Sequence, residues 1–330
     1  MAALRTDAPS GEVSLALKMV GLDYPMALSE GSADVKIGLL DGSVDTDSPD
    51  LAGSRITRLD AAPWPASSAS GHATLIAKML VARRHASPPG ICPGCTLLVR
   101  PIFSRSHRSR GLPGAVPQDV AGAILDAIAA GARVINLSAA TAMPSTRAYL
   151  GLRHALDYAI QHGVIVVAAA GNQASLGSSE LTRHHGCIPV VAYDLRGHPA
   201  AMSNLGRSAG QRGLGAPGNV VMSHADGKPM LQSGTSFAAA RVTGAIALLW
   251  SLFPSASASS IRLALRTDRG RSVTPPLMDV RAAYQRLQDG LAAHSSYGQL
   301  VPRTLMLCSS CLLGGLPVRP APLLPRENLR

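Results

Sequence analysis

Short, almost continuous apolar runs alternate along the chain with segments in which apolar residues recur every three or four positions. The short runs predict buried strands, and the spaced pattern predicts helices that pack one face against them. Strands are predicted at residues 35–40, 96–103, 134–138, 164–170 and 187–193, and helices within 113–131 and at 145–163, 258–265 and 279–287. Strands that alternate with helices indicate an α/β fold in three layers, with a mainly parallel central sheet and helices on both faces.

The longest apolar segment, residues 231–250, begins with the letters LQSGTS and then runs almost without polar side chains. A helix that is apolar on every side lies in a protein core, although a run of this length also suits a membrane span. Arg241 and Thr243 interrupt the run and favour a core helix. Ser236 is predicted in the first turn, where free amides and the helix dipole stabilise negative charge. A simple capping role would explain the same serine.

The pattern also suggests how the chain is divided. Residues 1–34 are mixed in character and predict an N-terminal extension, with a turn or two of helix, on the edge of the domain. Residues 35–289 hold all the predicted strands and form the predicted main domain. Beyond about Gly290 the period is lost, and the proline-rich stretch 290–330 is expected to be a flexible tail.

Composition changes this picture little. Hydrophobic residues make up 46% of the 330 positions and aromatic residues only 3%, so the core must be built from Ala, Leu, Val and Ile. The net charge of +11 raises nucleic acid and membrane surfaces as partners. However, only four of the 31 basic residues are lysine, the basic residues are scattered, and no set of aromatic side chains accompanies the one cluster at 105–110. We therefore expect neither nucleic acid nor membrane as a partner, and a steep salt dependence of DNA or RNA binding would argue otherwise.

The N-terminal segment lacks the continuous apolar stretch of a signal peptide, so a cytoplasmic location with reduced thiols is expected. Two Cys-x-x-Cys pairs, at 92–95 and 308–311, could bind zinc together, but they are far apart in sequence and ordinary reduced cysteines are favoured. Three aspartates, Asp45, Asp47 and Asp50, do not have the spacing of a known calcium loop. No metal and no cofactor are expected.

Four residues suggest a hydrolytic site. Asp41 ends the first predicted strand, at the edge of the sheet where functional groups gather, although an aspartate before glycine is also typical of a turn. His72 lies at the start of a predicted helix, where a lone histidine is more often a surface or capping residue. With Ser236 these residues supply the acid, base and nucleophile of covalent catalysis, and Asn172, after the fourth strand, could donate to an oxyanion.

The segments around these residues resemble the subtilisin-like serine peptidases, or subtilases. The similarity covers residues 35 to about 254 and consists of VKIGLLDGSVD around Asp41, GHATLIA around His72, VINLS, AAAGN before Gln173, and SGTSFAAA around Ser236, all in order. Later segments at 203–219, 247–257 and 273–285 resemble the cyanobactin-maturation type of subtilase, which trims ribosomally made precursor peptides.

The resemblance implies a subtilisin-like three-layer fold and a serine endopeptidase that processes a precursor peptide. Ser236 would attack the scissile carbonyl, His72 would transfer its proton to the leaving amine, Asp41 would orient His72, and Asn172 would hold the oxyanion.

It also implies that the partner is an extended peptide or protein substrate. The strand end Ser138-Ala139-Ala140 would pair with the substrate backbone and wall the first specificity pocket. The cluster at 105–110 would border the groove and favour acidic residues upstream of the cut, unless it is only a solvated loop. The oligomeric state is left open.

Several residues depart from the usual family pattern. Ala73 and Leu75 occupy positions of glycine and histidine, Ala240-Arg241 replaces Pro-His, and Ala140-Thr141 replaces glycines, which should narrow the groove. None is a triad position. The alternative that they leave open is a catalytically weak or inactive subtilase-fold protein that binds peptides or serves as a scaffold.

Overall fold

The computed structural model describes residues 8–60, 68–109, 112–138, 149–223, 229–266 and 272–299. The helices are α1 (Ala8–Met19), α2 (Asp23–Leu28), α3 (Ser68–Val81), α4 (Pro117–Ala129), α5 (Leu150–Gln161), α6 (Glu180–Arg183), α7 (Arg207–Arg212), α8 (Thr235–Leu252), α9 (Ala258–Leu265) and α10 (Val280–Gln299). The strands are β1 (Lys36–Asp41), β2 (Arg55–Arg58), β3 (Thr96–Pro101), β4 (Phe103–Ser109), β5 (Leu112–Ala115), β6 (Val134–Leu137), β7 (Ile165–Ala169), β8 (Cys187–Tyr193), β9 (Leu214–Pro217), β10 (Asn219–Ser223) and β11 (Pro229–Ser233).

Seven strands form one sheet in the order β2-β3-β1-β6-β7-β8-β9, and every neighbouring pair is parallel. The central strands β1, β6, β7 and β8 are buried over almost their whole length, as their continuous apolar sequences predict. Because all strands run the same way, their carboxyl ends lie along a single edge, here called the upper edge. The predicted α/β fold with a mainly parallel sheet is confirmed.

Helices cover both faces of this sheet. On one face, the larger apolar cluster joins the sheet to α3 and α8. On the other face, a second cluster joins it to α4 and α5, through residues such as Ile124 and Leu156. The three layers follow from the alternation of strand and helix, since each crossover helix must return along one face.

Helix α8 is the centre of the larger cluster. Every residue from Thr235 to Trp250 is buried. By length and composition this helix could span a membrane, but 89% of the tested window is buried inside the protein. Its apolar circumference therefore reflects the core position that the sequence predicts. Gly244 lets α8 approach the segment before β3, because a Cβ at this position would lie 2.7 Å from the side chain of Ile91.

Some elements differ from the sequence-based expectation. The extension contains α1, which is longer than the one or two turns expected, and its Ala16 and Val20 are buried. Helix α3 begins at Ser68, so His72 lies one turn further into the helix than predicted. The periodic pattern was expected to end near Gly290, but α10 continues to Gln299. The hairpins β4–β5 and β10–β11 were not predicted, because neither has a regular apolar alternation.

Backbone contacts divide the chain into two units, Met1–Asp289 and Gly290–Arg330. The first contains the sheet and all the helices except the end of α10. Of the second, the structure describes only residues 290–299, which continue α10, and the proline-rich stretch 300–330 lies outside the described residues.

The packing of α8 can be tested by making the same glycine-to-alanine substitution at two helix positions, one tightly packed and one open. Gly244→Ala should destabilise the protein by about 1–3 kcal/mol, because its methyl group must displace Ile91 in a filled core. Gly122→Ala in α4 meets nothing within 4 Å and should stabilise by about 0.5–1 kcal/mol, because alanine favours the helix. Denaturant unfolding measures both changes, and equal effects at the two positions would contradict this packing.

Candidate active site

Asp41 and His72 form a hydrogen-bonded pair at the upper edge of the sheet. Asp41 ends β1 and is fully buried, while the His72 side chain is 32% exposed. The Nδ1 atom of His72 lies 3.0 Å from Oδ1 and 2.9 Å from Oδ2 of Asp41. The hydrogen bond goes to Oδ1, which also accepts the amide of Gly42 at 2.7 Å, and Oδ2 has no donor of its own. This contact fixes the ring so that Nε2 is the nitrogen left for chemistry.

The start of α3 is held closely against the end of β1. A Cβ on Gly42 would overlap the carbonyl of Ala69, so only glycine allows this approach. Two side-chain contacts fasten the same junction: Ser43 Oγ lies 2.7 Å from Ser70 Oγ, and the Asp45 amide donates to Thr74 Oγ1 at 2.9 Å. The close junction is what brings His72, one turn into the helix, onto the carboxylate.

The pair also sets the protonation of His72. Burial of the ring lowers the pKa of His72, but the hydrogen bond and the negative charge of Asp41 together outweigh it, and the pKa lies above its usual value. The ring of Phe237 packs against the imidazole, with ring centroids 5.6 Å apart. A histidine held between a carboxylate and an apolar ring is suited to accept a proton and to be stabilised as a cation.

Ser236 is the second residue of α8 and is 7% exposed. The β10–β11 hairpin leads directly into the first turn of α8. At this point the Gly234 amide donates to the Gly218 carbonyl at 3.1 Å. First-turn amides have no carbonyl within the helix to bind, so the Ser236 amide is available to an oxyanion. Ser236 was predicted in this turn, and the structure places it there.

The hydroxyl of Ser236 does not reach His72 in this conformation. Its Oγ donates to the carbonyl of Ser138 at 3.4 Å, a long and weak hydrogen bond, and none joins it to His72. The two residues are nevertheless neighbours, because Phe237, the next residue along α8, contacts the His72 ring.

Asn172 is exposed on a turn after β7, and Gly171 before it has a φ of +107°, which glycine adopts readily. Its Oδ1 accepts both the amide and the hydroxyl of Thr235, each at 2.9 Å. Because both Thr235 groups are donors, the amide end that they contact must be the oxygen. The other end, Nδ2, has no hydrogen-bond partner in the described part of the chain. The side chain therefore presents a fixed N–H donor beside the residue that precedes Ser236.

A buried chain of polar groups connects α8 to the end of β6. Thr243 Oγ1 donates to Asn136 Oδ1 at 3.0 Å, and Asn136 Nδ2 donates to Ser138 Oγ at 2.8 Å. These contacts fix the strand end whose carbonyl meets Ser236. The hydrogen bonds of Asn136 and Thr243 and the anchoring role of Thr235 are not predicted from the sequence. Polar residues within apolar runs were the only available signal.

Three of the positions that depart from the resembled pattern, Ala73, Leu75 and Arg241, lie in the core and contribute to packing. Ala73 and Leu75 are buried in the core on α3. Arg241 is buried too, and its guanidinium donates to the carbonyls of Pro217 at 2.7 Å and Asn219 at 2.6 Å. Burial lowers the pKa of Arg241 to about 10. This arginine holds the connection between β9 and β10, and β10 begins the β10–β11 hairpin that precedes Ser236.

Several predicted features fall outside the described residues. They are Ala139 and Ala140 of the predicted substrate-binding strand end, Thr141 after it, Cys308 and Cys311 of the second cysteine pair, and Arg110 of the basic cluster, whose other side chains at 105–109 are likewise not described. Cys92 and Cys95 are buried free thiols.

The acidic loop and one group of histidine and aspartate side chains contain residue types that bind metal ions. Asp50 pairs with Lys78 at 3.0 Å, and within the described ranges the three loop aspartates form no group of ligating atoms. One group with suitable atoms within 4.8 Å does occur, Asp157, His184 and His185. However, His184 Nδ1 accepts the Gly186 amide, so the proton of this ring lies on Nε2, which faces Asp157 at 3.1 Å. A metal at Nε2 would have to break this arrangement.

Comparison with known proteins bears on this geometry. A family model described as the subtilase family matches residues 32–296. The thermophilic serine proteinase of Bacillus sp. (strain AK1) is 31% identical over 232 residues, 69% of this chain and 55% of that protein. The chain therefore spans about half the length of this curated relative.

Two solved structures are also similar. A mutant of the protease domain of PatA is 31% identical with a TM-score of 0.71, covering 79% of this chain and 97% of that one. The prenylagaramide maturation protease PagA is 28% identical with a TM-score of 0.70, covering 81% and 98%.

The pairing of Asp41 with His72 can be tested by titration. In Asp41→Asn the pKa of His72 should fall, because burial of the ring remains while the carboxylate charge is lost. A histidine whose pKa is raised by folding adds stability below its unfolded pKa of about 6.5 and loses it as pH rises through the folded value. The stability advantage of the wild type over Asp41→Asn that comes from His72 should therefore shrink as pH rises. NMR of the imidazole gives the pKa, and the other histidine signals serve as the control; an unchanged His72 pKa would refute the pairing.

Proposed function

The chain belongs to the subtilase family of serine endopeptidases, and from this premise we propose that it cleaves peptide bonds with a triad of Asp41, His72 and Ser236. The observation that carries the proposal is the buried Asp41 carboxylate, bound to His72 beside the helix turn that holds Ser236. Asp41 is the last residue of β1, Asn172 follows β7 in the same sheet, and Ser236 is in the first turn of a rigid core helix. Such placement keeps catalytic groups in a fixed geometry.

In the proposed mechanism, Ser236 Oγ turns from the Ser138 carbonyl towards His72 Nε2. The oxygen bonds to the scissile carbonyl carbon while its proton moves to His72, whose cation Asp41 stabilises. The negative charge on the former carbonyl oxygen is met by Asn172 Nδ2 and by the Ser236 amide. The carbon–nitrogen bond then breaks as His72 protonates the leaving amine, and water, deprotonated by His72, releases the acyl group from Ser236.

We propose further that the substrate is a ribosomally made precursor peptide. The support is the similarity to PagA, which is named a prenylagaramide maturation protease, and to PatA, named a patellamide maturation protease, at 28% and 29% identity. A cytoplasmic setting is also our proposal. The free thiols of Cys92, Cys95 and Cys187 are compatible with a reducing compartment.

The alternative is a peptide-binding protein with little or no activity. It is favoured by one observation, the absence of a hydrogen bond between Ser236 and His72. A fluorophosphonate probe distinguishes the two functions, because it reacts only with an activated serine. Labelling of the wild type but not of Ser236→Ala supports the peptidase.

The peptidase proposal is tested by incubating wild type and Ser236→Ala with candidate precursor peptides and reading the products by mass. We expect defined cleavage products with the wild type only, since loss of the nucleophile removes covalent catalysis. Equal thermal unfolding of the two proteins provides the control for folding. Products that form equally with both proteins would exclude Ser236 as the nucleophile.

The role of Asn172 gives a separate test. Asn172→Ala should lower kcat about 10²–10³-fold with little change in KM, because the donor acts on charge that develops only in the transition state. The loss of its contacts to Thr235 is checked by thermal unfolding. A loss that appears in KM alone would assign Asn172 to substrate binding instead.

A further inference from the structure

Glu180 is a buried acid for which the proposed mechanism has no use. It is the first residue of α6 and is only 9% exposed. Its Oε1 accepts the amide of Tyr149 at 2.6 Å. Its Oε2 is enclosed and has no hydrogen-bond partner, and no lysine or arginine pairs with the carboxylate within the described ranges.

Such a carboxylate is costly for a folded protein. On burial the carboxylate loses its hydration, and of its two oxygens only Oε1 gains a hydrogen bond in return. The start of α6, where Glu180 lies, is held by a capping box between Ser179 and Thr182. Unpaired buried polar groups are rare in native proteins, so this one needs an explanation.

The contact with Tyr149 does not explain it. Tyr149 precedes α5, and a carboxylate near a helix N-terminus is favourable. This role needs a single acceptor, which Oε1 supplies and which a glutamine would supply equally. The second oxygen and the full charge are left without a function in the folded chain.

Glu180 lies at the same edge of the sheet as the candidate site. Tyr149 begins the helix that returns from the upper edge after β6, so its partner Glu180 is at that edge too. Leu181, the next residue, belongs to the same apolar cluster as Leu137 and Ala168, which directly precede Ser138 and the end of β7. The acid and the Ser138 carbonyl that meets Ser236 therefore border one cluster.

We propose that Glu180 is a specificity-determining residue that binds a cationic side chain, lysine or arginine, of the peptide substrate near the scissile bond. This inference rests on the proposed peptidase function. Oε2 is enclosed in the free protein, so binding includes a local opening around Glu180. The long apolar stem of lysine or arginine suits this path, because it carries the charge through partly buried surroundings. Pairing then supplies the missing partner of the carboxylate.

The test compares peptides that differ in one residue, scanned through the positions around the cleavage site. Lysine and acetyl-lysine are used at each position, because acetylation removes the charge and keeps the stem. At one position the wild type should cleave the lysine peptide with a kcat/KM about 10- to 100-fold higher. Glu180→Gln, which keeps an acceptor for Tyr149, should lose this preference and cleave the acetyl-lysine peptide as before.

Asp119→Asn is the matched control, because it removes one negative charge from the exposed first turn of α4. It should keep the lysine preference. If Glu180→Gln does not fold, the comparison of the two peptides with wild-type protein still decides whether a charge is recognised. The same assay, repeated at different salt concentrations and with arginine in place of lysine, shows how the preference of the wild type depends on each. Wild-type cleavage with no lysine preference at any position, or an unchanged preference in Glu180→Gln, would overturn the inference. Absence of all cleavage by the wild type would instead refute the peptidase function.

Discussion

The hydrogen-bonded pair of the buried Asp41 and the half-buried His72 is the contact on which the rest of the site depends. A fully enclosed carboxylate is tolerated only with strong donors, and here the Gly42 amide and the His72 ring supply them. This pair requires α3 to start against the end of β1, which in turn requires glycine at position 42. The same pair raises the pKa of His72 against the effect of burial. One close junction thus sets the position of the base and its charge.

Helix α8 supplies the second constraint. Its small and apolar residues let it lie within the larger core cluster, so its first turn is fixed by the packing of the whole helix. Two threonines of α8 also bind polar side chains from other parts of the chain. Thr235 holds the oxygen of Asn172, and Thr243 holds Asn136 and, through it, Ser138.

Membership of the subtilase family and the geometry of this chain answer different questions. The family gives the fold and the class of reaction, while selectivity depends on residues particular to this chain. Arg241 braces a loop through two backbone carbonyls, and Glu180 carries an unpaired charge at the upper edge. Arg241 donates its hydrogen bonds within the fold. Glu180 Oε2 has no partner in the described part of the chain, and we therefore propose a partner on the substrate.

The sequence alone determined that the strands β1, β3, β6, β7 and β8 alternate with helices, that α8 is buried, and that Asp41 and Ser236 lie at element ends, because these depend on local apolar period and on segments read in order. It also identified Asn172 by its position after β7. Only the tertiary structure decided which atoms meet. The Thr243–Asn136 bond joins residues 107 positions apart, and the Gly42–Ala69 junction and the unpaired oxygen of Glu180 depend equally on distant chain segments. Such contacts follow from how whole elements pack, and hydrophobic period carries no information about polar partners that packing brings together.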